Sequence, residues 1–206
     1  MNVLITAATE LEIAPFAKKN KSAELFIHGV GATHAIYALS KKLNTAYDVV
    51  IQAGIAGSFS REINLGETVL VKRDGFADIG LLQQGKLSSI FEMGLAGENE
   101  FPYHNAFLEN KHPILKTTGI KKVNAVTVNL INTDENYTQL IREKYQADIE
   151  TMEGAALHYV CLYQKIPFLQ LRSISNYVGE RDKGKWKLDE AIHNLCFHLE
   201  ELVNRF

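Results

Sequence analysis

Cysteine is scarce in this sequence, and histidines are never closely spaced. The 206 residues include two cysteines, Cys161 and Cys196, which lie far apart and form no CxxC pair. This usage gives no sign of a disulfide framework or of the usual zinc motifs. The seven histidines show no HxxH or HxxxH spacing, so we expect neither a metal ligand among them nor a bound cofactor. Both cysteines lie in helix-like apolar patterns, which predicts buried thiols.

Long apolar runs and an excess of one charge are also missing. No run approaches the length of a transmembrane helix. The chain starts with a strand pattern and shows no basic segment followed by an apolar one, so we expect no signal peptide and a cytoplasmic protein. The 22 basic and 24 acidic residues give a net charge of −2, which predicts neither nucleic acid nor a membrane surface as a partner.

The composition that remains is that of an ordinary globular protein. Hydrophobic residues make up 46% of the chain and charged residues 22%, values typical of one folded unit with a large core. We therefore predict a single domain over residues 1–206.

Apolar strand patterns alternate with helical patterns along the chain. The predicted strands are 3–5, 25–27, 49–51, 68–71, 123–128 and 168–172. The predicted helices are 10–19, 33–43, 134–145, 153–165 and 188–206, and residues 78–118 are predicted to be irregular. Alternation with nearly continuous apolar strands predicts an α/β fold whose largely parallel sheet is covered by helices on both faces.

Two polar segments flank the last predicted strand. The first, 150–156, reads Glu-Thr-Met-Glu-Gly-Ala-Ala and places Glu153 and Met152 at the start of a helix rich in small residues. The second ends that strand with Ser175 and Asn176, at the edge where open α/β sheets bind ligands. Together they indicate a nucleoside pocket with an acid for the ribose and an amide for the base. Each residue also has a purely structural interpretation. Glu153 could be favoured at a helix start by the helix dipole, Met152 could be a core residue, and Asn176 could cap the following loop.

Two further segments follow predicted strands. Glu10 and Glu12 come after the first strand, where a carboxylate could serve as a base. A random pair of glutamates at this place is more often a solvated first turn. The small residues of 54–58 would let the backbone approach a ligand, although a tight turn explains them equally well.

Six blocks of the chain, in this order, resemble the purine nucleoside phosphorylase and nucleosidase superfamily, and within it the futalosine hydrolases of menaquinone biosynthesis. These blocks are 1–16, 29–31, 53–58, 124–129, 150–156 and 172–187. The blocks 150–156 and 172–187 are specific, whereas 29–31 and 53–58 alone are weak. The resemblance implies a three-layer αβα sandwich around a mixed sheet, and a homodimer or larger homo-oligomer.

The resemblance also implies roles for individual residues. Glu12 would activate the attacking water, Glu153 and Met152 would hold the ribose, and Asn176 would hold the base. The remaining residues implied to contact substrate are Ile55, Ala56, Gly57, Val128, Asn129, Arg172 and Ser175. Whether Arg172 holds its loop or pairs with one of the two glutamates stays open.

The chain departs from adenine-specific nucleosidases at Asn176, where they carry aspartate. An amide can donate to a 6-oxo oxygen and accept from a protonated N7, which suits hypoxanthine, but it cannot supply the N7 proton. The phosphorylases carry a Gly-Asp-Pro segment and a phosphate-binding arginine in the first loop, where this chain has acidic residues. We therefore expect hydrolysis of futalosine.

Three alternatives remain. They are a methylthioadenosine/S-adenosylhomocysteine nucleosidase, a purine nucleoside phosphorylase and a nucleoside-binding module without activity. The last would be indicated by loss of Glu12 or Glu153, and both are present. Residues 177–187 are predicted to form a loop over the substrate, with Arg181 or Lys185 as a partner for the benzoate of futalosine.

Overall fold

A computed structural model describes residues 1–20 and 22–206 of the chain. The strands are β1 Val3–Ala7, β2 Glu24–Ile27, β3 Val49–Ser58, β4 Thr68–Asp74, β5 Gly80–Gln83, β6 Lys86–Ser89, β7 Leu108–Glu109, β8 Lys122–Thr127, β9 Ile149–Thr151 and β10 Phe168–Tyr177. The helices are α1 Glu10–Lys19, α2 Ala32–Lys42, α3 Glu135–Tyr145, α4 Gly154–Gln164 and α5 Leu188–Val203. Short 3₁₀ helices cover Pro113–Lys116 and Lys183–Lys185.

All strands except β5 and β6 belong to one mixed sheet. The β1–β2, β1–β3, β3–β10, β4–β8 and β8–β9 pairs are parallel, and β10–β4, β3–β9 and β4–β7 are antiparallel. The pairings β3–β10–β4–β8–β9–β3 close into a circuit of five strands. This closure brings the carboxyl ends of β3 and β10 next to β9.

Helices cover both faces of the sheet. Successive side chains of β3 point to opposite faces of the sheet. Ile51 packs with α1 and α5 on one face, and its neighbour Val50 packs with α2 and α4 on the other. The predicted three-layer α/β arrangement with a mixed, largely parallel sheet is confirmed. No helix in the described part of the chain is long and apolar enough to cross a bilayer.

Two strands are longer than their apolar cores predicted. β3 continues from the predicted 49–51 to Ser58, and β10 from the predicted 168–172 to Tyr177. Their polar and small residues stay extended because the two strands pair with each other along almost their whole length. The tips of these strands are the parts that reach the site described below.

Three local predictions need correction. The short strand β9 was not predicted, and β5 and β6 form a hairpin inside the segment predicted to be irregular. Its turn places Gln84 at φ 50° and Gly85 at φ 75°, a pair of left-handed residues that suits a tight hairpin. Helix α2 starts and ends one residue earlier than the predicted 33–43, and it is preceded by Gly31 at φ 90°.

Candidate active site

A cavity of about 310 Å³ opens at the carboxyl ends of the central strands. Its size is at the lower end of the range for small-molecule sites. Its wall is mostly apolar, with a few acidic and amide groups. The polar residues and glycines that line it are Thr9, Glu12, Gly57, Glu150, Thr151, Glu153, Ser175, Asn176, Gly179, Glu180 and Arg181, and the apolar ones include Leu11, Val30, Ile55, Ala56, Ile131, Met152 and Trp186.

Glu12 is fixed in the first turn of α1. Its side chain is 8% exposed, whereas Glu10 is exposed and does not line the cavity. One carboxylate oxygen accepts from the backbone N–H and hydroxyl of Thr9 at 3.0 and 3.1 Å. The other oxygen accepts from the N–H of Ile55 at 3.2 Å. The first turn thus holds Glu12 in one orientation at the cavity wall.

Glu153 immediately precedes α4 and is 6% exposed. Its Oε1 accepts from the N–H of Gly31 at 2.8 Å, and it does not cap its own helix. Two threonines do so instead, since Thr151 accepts from Gly154 N–H at 3.2 Å and Thr127 from Ala155 N–H at 2.8 Å. The Glu153 carboxylate is therefore left for the cavity.

The surroundings of Glu153 oppose its ionisation. Burial raises the pKa of Glu153, and the positive charge of Arg172 partly offsets this effect. The negative charge of Glu12 acts in the same direction as burial. The Glu12 carboxylate is therefore close enough to oppose the ionisation of Glu153.

Gly154 lets the start of α4 sit directly on the sheet. A side chain at this position would overlap the Gln170 amide and the Asp74 carboxylate. Asp74 is fully buried and accepts from Gly75 N–H, the Thr127 hydroxyl and Gln170 Nε2 at 2.8, 3.1 and 3.1 Å. Close packing between α4 and the sheet therefore requires glycine directly after Glu153.

Arg172 lies beneath the site and does not line the cavity. It is 1% exposed, and its guanidinium donates to Oε1 of Gln52. Within residues 1–20 and 22–206, no carboxylate forms an ion pair with it at 4.0 Å or less. Its guanidinium packs over Gly54, where any side chain would overlap it. Arg172 therefore acts on Glu153 through its charge. Because it lies outside the cavity wall, its position does not support the predicted contact with substrate.

A polar chain continues from Arg172 to the loop before α2. Gln52 Nε2 lies 3.0 Å from His28 Nε2, and His28 Nδ1 lies 2.8 Å from the Gly29 oxygen. Burial lowers the pKa of His28 to about 4, so the ring is neutral and can accept from Gln52 while donating to Gly29. This chain supports the loop whose Gly31 N–H binds Glu153.

Asn176 lies near the tip of β10 with its amide orientation fixed by neighbours. Its Oδ1 accepts from the Ser175 hydroxyl at 2.8 Å, and its Nδ2 donates to the Tyr177 oxygen at 3.0 Å. A flipped amide would set two acceptors against each other at Tyr177. One N–H and one oxygen lone pair of Asn176 remain for a ligand.

Besides Arg172, two more of the predicted contact residues lie away from the cavity. Val128 is 1% exposed and packs in a core cluster with α3. Asn129 is exposed, and it binds the Asp78 carboxylate through its backbone and side-chain N–H groups. Ile131, a short distance along the same segment, lines the cavity instead.

The segment 177–187 borders the cavity, as its sequence suggested. Trp186 donates to the Glu180 oxygen at 3.1 Å, and the Arg181 guanidinium lies 6.0 Å from the Trp186 ring centre. Lys185 is paired with Glu180 at 2.9 Å. Of the two cations suggested for a benzoate, Arg181 lines the cavity and Lys185 does not.

Glu150 belongs to the block 150–156, but the sequence alone predicts no role for it. It lines the cavity from β9, the strand that the sequence did not reveal. A three-residue strand with a glutamate at its centre is too short to show an alternating apolar and polar pattern. Its position in the sheet could therefore be seen only in the structure. In the described ranges, no three His, Cys, Asp or Glu residues are grouped so that they could hold a metal ion.

Known proteins resemble this chain in sequence and in fold. The model of the phosphorylase superfamily matches residues 7–203. The chain is 29% identical to a futalosine hydrolase of Thermus thermophilus, covering 97% of this chain and 94% of that protein. It is 26% identical to a 5′-methylthioadenosine/S-adenosylhomocysteine nucleosidase of Psychromonas ingrahamii, with 85% and 76% covered. A nucleosidase of the latter kind from Helicobacter pylori, solved with butyl-thio-DADMe-Immucillin-A, has the same fold, with a TM-score of 0.83 at 17% identity over 100% of this chain and 99% of that one.

Proposed function

The chain belongs to the phosphorylase superfamily, and from that premise we propose that it hydrolyses the N-glycosidic bond of futalosine. The products are hypoxanthine and dehypoxanthine futalosine. The observation that carries this proposal is the pairing of two buried carboxylates, Glu12 and Glu153, with the amide of Asn176 around one cavity. The similarity to the Thermus futalosine hydrolase over nearly the whole chain supports the same conclusion.

Glycosidic cleavage passes through a ribosyl cation that resembles an oxocarbenium ion. In our proposal Glu153 accepts hydrogen bonds from the ribose hydroxyls and stabilises the positive charge. Met152 packs against the sugar. Glu12 orients a water molecule and takes one of its protons as the water oxygen bonds to the anomeric carbon. Its hydrogen bonds from Thr9 and Ile55 support this role by keeping the carboxylate in place.

The departing base would be held by Asn176. Its free N–H donates to the 6-oxo oxygen, and its free lone pair accepts from N7 once N7 is protonated. Because an amide cannot release that proton, we propose solvent water as its source. Ser175 and the Tyr177 oxygen support this arrangement, since they fix which end of the amide faces each atom.

Hydrolysis fits the cavity better than phosphorolysis. Of the described residues around it, Arg181 is the one cation, against Glu12, Glu150, Glu153 and Glu180. Phosphate would meet repulsion at this wall, whereas water would not. Arg181 is our candidate partner for the benzoate of futalosine.

We propose a homodimer or larger homo-oligomer that works in the cytoplasm, in menaquinone biosynthesis, as the family resemblance implies. The exposed Phe101 ring packs edge-on against the half-exposed Tyr163 ring, with 5.0 Å between the ring centres. We expect a second copy of the chain to bind at this apolar surface. A fully active monomer of 23.1 kDa in light scattering would contradict this assembly.

A substrate panel tests the reaction. Purified protein is incubated with futalosine, methylthioadenosine, S-adenosylhomocysteine and inosine, with and without phosphate, while free base and sugar products are measured. We expect hypoxanthine from futalosine at a rate independent of phosphate, with no sugar 1-phosphate. Preferred cleavage of methylthioadenosine would favour the adenine nucleosidase alternative. Turnover that requires phosphate would establish a phosphorylase.

A further inference from the structure

Gln52 of β3 connects Glu153 to two other buried side chains. Its Oε1 accepts from the Arg172 guanidinium, and its Nε2 lies 3.0 Å from His28 Nε2 and 3.4 Å from the Glu153 backbone oxygen. Because arginine can only donate, the amide oxygen must face Arg172 and the amide hydrogens must face the other two groups. Gln52 is fully buried, so a flipped amide would leave buried polar groups unpaired.

This orientation of Gln52 decides where the hydrogen of the His28 ring lies. The ring accepts at Nε2, so its hydrogen is on Nδ1, 2.8 Å from the Gly29 oxygen. Gly29 and Gly31 have positive φ values of 84° and 90°, and the turn that they form brings Gly31 N–H within 2.8 Å of Glu153 Oε1. Gln52 therefore reaches Glu153 twice, directly at its backbone and, through His28 and this turn, at its carboxylate.

His28 is buried but does not line the cavity. It is 3% exposed, and Val30 of the same segment lines the cavity instead. A buried histidine with two hydrogen bonds stabilises the core in any case. Here both ring nitrogens also lie on the path from Gln52 to the carboxylate that we place beside the sugar.

We propose that His28 is a positioning residue that holds the Glu153 carboxylate in place and in its ionised form, without touching the substrate. This inference rests on the proposed nucleosidase function and adds to it a residue outside the cavity. The bond from His28 to Gly29 fixes the turn, and the Gly31 N–H of that turn stabilises the carboxylate over the carboxylic acid. The ionised form of Glu153 is the one that can stabilise a ribosyl cation.

The charge of Glu153 should respond to the loss of the His28 ring. Burial raises the pKa of Glu153, whereas Arg172 and the Gly31 N–H lower it. Without its bond to His28 the turn is free to move, and the pKa of Glu153 should rise further because the Gly31 bond weakens. The other charged or titratable groups around Glu153 and the turn are Glu12 of α1, His34 of α2, Asp74 of β4, Glu150 of β9, and Glu180 and Arg181 at the cavity wall.

Two amide variants separate the roles of the two ring nitrogens. The amide nitrogen of asparagine lies near the place of Nδ1, and the amide oxygen of glutamine can reach the place of Nε2. His28→Asn therefore keeps a donor for Gly29, whereas His28→Gln keeps an acceptor for Gln52 and has no donor at Gly29. The matched control is His158→Gln, because His158 is fully buried and its Nδ1 likewise lies 2.9 Å from a backbone oxygen, that of Leu108.

NMR titration of the glutamate side-chain carboxyl carbons, assigned with Glu153→Gln, measures the pKa of Glu153, and kcat/KM for futalosine is measured over the same pH range. We expect His28→Gln to raise this pKa by about one pH unit, since a hydrogen bond to a charged group is weakened. Its kcat/KM should fall by roughly 10-fold on the acid side, where Glu153 is then protonated. His28→Asn should stay close to the unmutated protein, and His158→Gln should lose thermal stability without either change.

An unchanged pKa of Glu153 in His28→Gln would show that His28 serves the core alone, whether or not the protein cleaves futalosine. A raised pKa with an unchanged kcat/KM would also overturn the proposal, because the charge would then not matter for cleavage. If the unmutated protein cleaves none of the tested nucleosides, the proposed function fails, and the NMR titration still decides whether His28 holds the charge of Glu153. Circular dichroism establishes that each variant is folded. If His28→Gln is unfolded, His28→Phe takes its place, since it fills the same space and also has no donor.

Discussion

Glu12 serves two purposes at the residue scale. Its carboxylate occupies the third position of α1 and accepts from Thr9, as in a capping box. The same group faces the cavity, where we place the attacking water. The sequence could suggest Glu12 over Glu10 only by resemblance, because both are acidic residues in a first turn. Burial separates them, since Glu12 is buried and Glu10 is exposed.

Glu12→Gln should lower kcat for futalosine by roughly 10²–10⁴-fold, because the base is removed while the shape is kept. Glutamine still fits a capping box, so the melting temperature should change little. Glu10→Gln is the matched control in the same turn and should keep full activity. Steady-state kinetics of the three proteins decide this. A Glu12→Gln enzyme with near-normal kcat would show that the base lies elsewhere.

Asn176→Asp should narrow or reverse the preference for hypoxanthine over adenine nucleosides. A protonated aspartate has one O–H donor and one carbonyl acceptor, so it can donate to N7 and accept from the 6-amino group of adenine. The measurement is the ratio of kcat/KM for matched hypoxanthine and adenine nucleosides. An unchanged ratio would remove Asn176 from base recognition.

At the scale of elements, α4 can start directly on the sheet because Gly154 has no side chain. Gly154→Ala would drive a methyl group into Asp74 and Gln170, so the helix must lift from the sheet and carry Glu153 with it. We expect a loss of stability of roughly 1–3 kcal/mol together with lower activity. Denaturant unfolding and kinetics measure both.

The control for Gly154→Ala is another buried glycine with room for a methyl group. A side chain at Gly75 would meet its nearest neighbour, Phe107, at an ordinary 3.5 Å. Gly75→Ala should therefore cost less than Gly154→Ala and leave kcat unchanged. Equal losses in the two variants would contradict the close contact at α4.

Helices were easier to predict than strands, for a physical reason. Helix α1 has the predicted bounds because acidic residues start it, basic residues end it and its apolar positions are helically spaced. Strands β9 and the second halves of β3 and β10 are held by pairing with distant segments. A local pattern cannot reveal such pairing. The contact of Glu150 with the cavity was missed for this reason.

At the scale of the whole molecule, stability should depend on pH through Asp74. Burial raises its pKa to about 6 from the ordinary 3.8. The folded state therefore holds this proton more tightly than the unfolded chain. This proton contributes to the free energy of unfolding. The contribution is about 3 kcal/mol below the ordinary pKa, and it is lost as the pH rises through 6.

Asp74→Asn should remove that dependence. The variant should gain about 3 kcal/mol relative to the unmutated protein between pH 4 and pH 8, because asparagine has no proton to lose. Urea unfolding at several pH values gives the two curves, with the exposed Asp189→Asn as control. Parallel curves for Asp74→Asn and the unmutated protein would mean that Asp74 does not titrate in this range.

The overall architecture was predictable because its signal is spread over many strands and helices, whereas the site depends on single positions. Val128 shows the limit, since its place in the block 124–129 suggested a substrate contact and its side chain lies in the core. Arg172 shows it too, because it lies in the middle of β10 and acts through its charge from below the site.

The threonine caps of α4 have a consequence for how such a chain can change over generations. Because Thr151 and Thr127 hold the helix start, the residue at position 153 is not needed for capping. A one-base change in a glutamate codon gives glutamine. Such a mutant gene should encode a chain that still folds and still has its cavity but lacks the anion that we place beside the sugar. A descendant that binds nucleosides without cleaving them is thus a short genetic step away.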